Sequence, residues 1–147
     1  VIAFVSLTLA GALDVWRVAS NAVAIRVFDQ SGIDFAQMVI EKTPPTSLIL
    51  HAPIHNHPIA LTGRRSVMGY AGHVWSHGLD PGPREADMQR MYRGGPEAAD
   101  LLRRYGIDFV VLGPPELRMD PDPGFFERYE KVGETGSYRL YRVSHGP

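Results

Sequence analysis

The sequence predicts an α/β domain: a small layered fold with a mostly parallel sheet and a C-terminal antiparallel hairpin, preceded by the end of a transmembrane helix. Three observations carry that expectation. Residues 47–52 (SLILHA) and 107–112 (IDFVVL) are short, nearly continuous apolar runs between turn signals, the pattern of strands covered by helices on both faces. Segments with helical spacing alternate with them, as in layered α/β domains. Residues 1–13 (VIAFVSLTLAGAL) carry no charge.

That opening stretch would rise roughly 20 Å as a helix, against roughly 30 Å for a hydrocarbon core. It lacks the basic n-region of a secretory signal. It therefore reads as a truncated membrane span, the alternative being a buried first helix. Asp14 and Arg17 mark the exit from the apolar phase, with Trp16 where an interfacial aromatic would sit. Residues 14–24 continue the helix or connect it. The expected division is thus 1–24 for the end of the membrane helix and connector, and 25–147 for a soluble α/β domain.

Residues 25–28 (IRVF) form a short β-prone run that ends at Asp29-Gln30-Ser31-Gly32. Residues 33–42 have the apolar spacing of an amphipathic helix, stopped by Thr43-Pro44-Pro45. After the 47–52 strand comes a polar loop and a brief apolar turn at 58–61. Residues 64–70 (RRSVMGY) read as a second strand. The Gly-, His- and Pro-rich stretch 71–83 reads as a long loop or a brief helix, and 84–93 as a helix. Gly94-Gly95-Pro96-Glu97 is a helix start, with proline suited to the first helical position and Glu97 to the positive end of the dipole. That helix runs to Gly106, a left-handed stop, before the 107–112 strand. A short helix is expected at 125–129. Residues 131–134 and 137–143 should pair as a hairpin around Thr135-Gly136 at the sheet edge.

With 147 residues the chain suffices for one core and not for two. Hydrophobic residues at 44% and charged residues at 21% exclude disordered and fibrous classes. A net charge of −1 argues against nucleic acid as a partner. The absence of cysteine excludes disulfides and thiolate metal sites.

Five of six histidines fall between positions 51 and 77: His51, His55, His57, His73 and His77. The H-x-H pair His55/His57 and the pair His73/His77, four apart, have spacings at which imidazoles converge on zinc. No glutamate follows His73, so the H-E-x-x-H metalloprotease signature is absent. The alternative is that these rings bond loop backbone, or contact a polar ligand without metal. Arg64, Arg65 and Arg84 flank the same loops and suit either bidentate phosphate binding or fixing of Asp80, Glu85 or Asp87. Trp75 suits either loop anchoring or sugar stacking. The turns at Gly94-Gly95 and Gly113-Pro114-Pro115-Glu116 lie where open α/β sheets bind ligands, although neither matches a nucleotide-binding loop. Ser76 beside His77 sits in no G-x-S-x-G elbow.

The string HNHPIALTGRRSVMGYAGHVWSHGLD, then Arg84-Glu85-x-Asp87, then LLRRYGIDFVVLGPPE, resembles the C-terminal region of multi-spanning membrane proteins classed with polytopic glycosyltransferases that use polyprenyl-phosphate sugars. The similarity covers residues 25–116. The matching positions are His55, Asn56, His57, Pro58, Gly63, Arg64, Gly69, Tyr70, Trp75, His77, Gly78 and Arg84. The resemblance implies an extracytoplasmic domain at the cell membrane, following a last membrane helix, with residues 1–13 in the lipid bilayer. The catalytic carboxylate of such enzymes lies in an early loop, so this region would assist recognition of a lipid-linked sugar without catalysing transfer. No cofactor is implied. The substrate-binding candidates are His55, His57, Arg64, Trp75, His77 and Arg84. Two other readings remain beside it: a non-catalytic interaction or assembly domain, and a histidine metal-binding domain built on His55, His57, His73 and His77.

Overall fold

The computed structural model describes residues 2–22 and 26–143. Its order is helix α1 (Ile2–Ala19), helix α2 (Gln30–Lys42), strand β1 (Leu48–Leu50), a 3-10 turn (Pro58–Leu61), strand β2 (Arg65–Ser66), and helices α3 (Ala71–Ser76), α4 (Gly82–Arg93) and α5 (Pro96–Tyr105). Strand β3 (Phe109–Leu112), a second 3-10 turn (Glu116–Met119), helix α6 (Pro123–Phe126) and the hairpin β4 (Glu130–Thr135) and β5 (Tyr138–Arg142) complete it.

Among the described residues the five strands form one sheet in the order β2-β1-β3-β5-β4. β1 is parallel to both β2 and β3, while β5 runs antiparallel to β3 and β4. The α/β class, the parallel centre and the antiparallel hairpin are therefore as the sequence predicts. The hairpin supplies the edge through β4, and Gly136, at φ 59°, makes its two-residue turn.

Alternation along the strands divides the core into two layers. Ile49, Phe109, Val111 and Leu140 face Phe35 and Val39 of α2 and Ile59 of the first 3-10 turn. Leu50, Val110, Leu112 and Tyr141 face the other way, onto Met88, Met91 and Tyr92 of α4, Leu101 and Leu102 of α5, and Phe126 of α6. Burying each such side chain contributes about 1.5–3 kcal/mol, which is why the three-residue β1 can hold an interior place in the sheet. Local signals set the ends of the elements. Asp29 caps α2 by accepting the Gly32 amide at 2.7 Å. Gly106 stops α5 in the left-handed region at φ 65°.

Several boundaries differ from expectation. Residue 25 of the 25–28 run lies outside the described residues, and residues 26–28 bend without pairing. The strand expected over 64–70 pairs only at Arg65–Ser66, because β2 is an edge and its single neighbour β1 is three residues long. The stretch 71–83 holds the short helix α3, and the helix expected at 125–129 forms earlier, at Pro123–Phe126. Among the described residues no helix is long and apolar enough to cross a membrane. Yet α1 leaves Val5, Leu9, Leu13, Val15, Trp16 and Val18 each more than half exposed.

Candidate functional site

β1 and β3 lie side by side and parallel, and their C-terminal ends release the chain to opposite faces of the sheet. The loop after β1 carries Ile59 into the α2 layer, and the turn after β3 carries Met119 into the α4 layer. In open α/β sheets this divergence leaves a crevice where ligands bind. Here three buried polar side chains stand across it: His51 and His57 from the β1 loop, and Glu116 from the turn after β3.

Their hydrogen bonds fix the protons. The Ile59 amide donates to His57 Nδ1 at 3.1 Å, so that nitrogen carries no hydrogen. His57 Nε2–H donates to Glu116 Oε1 at 2.8 Å, and the Ala52 amide donates to the same oxygen at 2.8 Å. His51 stacks on His57 with ring centroids 4.3 Å apart. Its Nδ1–H donates to the Ala52 carbonyl at 2.8 Å, and its Nε2 accepts from the Ser66 hydroxyl at 2.7 Å. Burial first, then the neighbouring His57, lowers the His51 pKa from 6.5 to about 3, so the ring is neutral. Burial, with Glu116 adding to it, raises the phenols of Tyr92 and Tyr138 above their ordinary value. The second carboxylate oxygen, Glu116 Oε2, is enclosed and has no hydrogen-bond partner.

Glu116 also lines a cleft of about 260 Å³ on the side of the hairpin, walled by Leu112, Leu117 and Pro121 and by Ser137 and Arg139 of the β4–β5 turn region. Gly113 begins this wall. A Cβ there would meet the Tyr138 ring at 2.3 Å, so only glycine lets the turn after β3 pass beneath the hairpin.

The residues singled out in the sequence separate. Of the substrate-binding candidates His55, His57, Arg64, Trp75, His77 and Arg84, His57 alone enters the buried cluster. His55 is exposed, bonded to Asn56 Oδ1 at 2.9 Å, with its ring 5.3 Å from Tyr70 and 5.1 Å from His73. His77 Nδ1 donates to the His73 carbonyl at 2.7 Å and closes α3. Trp75, 73% exposed, anchors no core. Arg84 lines a separate cleft of about 330 Å³ with Asp80 and Tyr105. Arg64 sits before β2, at the opposite end of the parallel strands, and serves the helix: it donates to Thr43 Oγ1 at 3.1 Å and to the carbonyls of Ile40, Thr43 and Thr62. The Ile40 and Thr43 carbonyls are among those that a helix C-terminus leaves unpaired. Arg64→Ala should lower stability by about 2 kcal/mol in urea unfolding and leave ligand binding at the other end of the sheet unchanged.

Among the described residues no three His, Asp or Glu side chains gather to hold a metal ion. His55 and His57 diverge, one to the surface and one to the interior, because residues 55–56 form a turn, whereas extended chain would put positions i and i+2 on one side. The sequence marks the Gly113–Glu116 turn as a ligand position, and His51 as one of the clustered histidines, but not the joining of Glu116 to His57. The signal within reach was an acidic residue following Gly-Pro-Pro at the end of an apolar strand.

These features define a three-layered α/β domain whose strand-end crevice is bridged by a His–Glu pair. No protein-family model matches the chain, and neither does any curated protein or solved structure.

Proposed function

We propose that the chain is the membrane-tethered, extracytoplasmic α/β domain of a multi-spanning glycosyltransferase-like protein, assisting recognition of a lipid-linked sugar without catalysing transfer itself. The observation that carries the tether is α1, whose Val5, Leu9, Leu13, Val15, Trp16 and Val18 side chains are left uncovered by the domain. Apolar surface of this extent on a helix is stable in lipid or against other apolar helices, not in water. The glycosyltransferase class rests on the resemblance of residues 25–116. A site at strand ends fits recognition, which needs placed polar groups in an apolar cleft rather than a nucleophile.

Flotation with phosphatidylcholine/phosphatidylglycerol vesicles tests the tether. The full chain should rise with the vesicles. A Leu9→Glu/Leu13→Glu variant should stay at the bottom, since each acidic residue in an apolar helix costs about 2.5–3.5 kcal/mol at the centre of a bilayer. A parent chain that stays monomeric in the aqueous fraction would sink the proposal.

A second reading, a non-catalytic interaction or assembly domain, is favoured by four internal hydrogen bonds from Arg64 and by the use of both His57 ring nitrogens in internal hydrogen bonds. Under that reading no small ligand should perturb the clefts at Glu116 or Arg84.

A further inference from the structure

We propose that the cleft beside Glu116 is a binding site for a neutral polyol, of the size and polarity of one sugar ring, and that Glu116 Oε2 is the acceptor that a ligand hydroxyl completes. The site deepens the function proposed above and rests on it for the lipid-linked origin of the sugar; the geometry stands on its own.

Three observations meet here. First, the cleft lies beside the crevice at the C-terminal ends of β1 and β3, on the hairpin side of β3. Second, its chemistry is mixed in the way a pyranose requires. Leu112, Leu117, Pro121 and Pro123 offer apolar surface to the C–H face of a ring, and Glu134, Ser137 and Arg139 offer acceptors and donors to its edge. Its volume of about 260 Å³ suits a ligand of monosaccharide size. Third, Glu116 is fully buried, with both neighbouring N–H donors on Oε1 and nothing on Oε2. A buried acceptor without a partner costs about 1–3 kcal/mol, a cost that a hydroxyl donor removes.

Other ligand classes fit less well. Two carboxylates, Glu116 and Glu134, face an anion unfavourably, and a purely apolar ligand would leave Oε2 unmatched. The Glu134 charge lies 3.8 Å from the Arg139 guanidinium, which lessens its attraction for a simple cation. Because Oε2 is enclosed, a ligand reaches it by parting the Gly113–Leu117 turn from the hairpin. That turn is held by two bonds to the Gly113 carbonyl, from the amides of Glu116 and Leu117.

The test is an NMR titration of the full chain, in detergent micelles, with methyl glycosides of glucose, mannose and galactose. At least one should shift the amides of Gly113, Leu117, Ser137 and Arg139 with a millimolar Kd. Glu116→Gln keeps an acceptor for Ala52 and His57 but places an amide where Oε2 stands, and should weaken binding at least tenfold. Leu117→Ala, at an exposed position, should leave the fold intact and weaken binding severalfold, so the proposal stays testable if Glu116→Gln fails to fold. No shift at 50 mM of any glycoside, shifts centred instead on Trp75 and His55, or tighter binding of methylammonium than of any glycoside would overturn it. So would a water molecule on Oε2 in a crystal structure of a chain that binds no glycoside. Glycoside binding without vesicle flotation keeps this site and removes the tether; flotation without glycoside binding removes the site alone.

Discussion

Glu116→Ala should destabilise the domain by about 2–6 kcal/mol, the cost of leaving two buried N–H donors unpaired at about 1–3 kcal/mol each. Alanine deletes the acceptor shared by the Ala52 amide and His57 Nε2–H, which then lie buried with nothing to bond. It also unties the loop after β1 from the turn after β3, since this carboxylate joins them across the crevice. A domain of this size has about 5–15 kcal/mol in total, so the loss is a large share of it. Glu116→Gln, which retains an acceptor, should lose no more than about 2 kcal/mol. Urea unfolding monitored by tryptophan-independent circular dichroism measures both, because Trp16 and Trp75 are exposed and report the fold poorly. An alanine variant within 1 kcal/mol of the parent would mean that the bridge does not hold the crevice.

The second large effect is a pH dependence centred on His51. Its folded pKa is lowered to about 3, whereas in the unfolded chain it titrates near 6.5. The unfolded state therefore takes up the proton first. The stability tied to a neutral His51 is whole above pH 6.5 and is lost as pH falls toward 3, on the order of 4 kcal/mol in all. Asp87 adds to the loss only at the acid end. The Tyr105 hydroxyl, bonded at 2.5 Å, holds its carboxyl below the ordinary value, so its contribution disappears as pH falls through that lowered pKa. Between pH 6.5 and 4 the slope attributable to His51 is isolated by His51→Phe. That ring fills a similar space against His57 and does not titrate. The Ala52 carbonyl still accepts from the Ile54 amide, and Ser66 is exposed and can bond water. The variant should lose about 1 kcal/mol at pH 7.5 and overtake the parent at about pH 6 in denaturant midpoints. Parallel curves for parent and variant across this range would refute the assignment.

Both effects arise from residues that the sequence displays but does not connect. The histidine cluster is visible as a string, and its spacings suggest pairs: His55 with His57, His73 with His77. In the fold the pairs are different. His57 stacks on His51 and bonds Glu116, while His55 meets His73 and Tyr70 at the surface. Arg64 shows the same limit. Its place beside a loop suggested a ligand contact, yet the end of α2, more than twenty residues earlier in the chain, brings three acceptors to it, and the Thr62 carbonyl is a fourth.

What the sequence determined by itself was local: a helix over residues 33–42 stopped by Thr43-Pro44-Pro45 and one opening at Gly94–Glu97 and stopped by Gly106, the apolar strands around Leu48–Leu50 and Phe109–Leu112, the terminal hairpin, and through their alternation the α/β class. These follow from periodicity and from proline and glycine, which act within a few residues. Only the tertiary structure decided that β1 and β3 lie adjacent, that their loops diverge, and that a glutamate 59 residues beyond His57 meets it in the interior. Such a meeting is set by strand order and by which face each loop descends, and neither leaves a mark on the spacing of nearby residues.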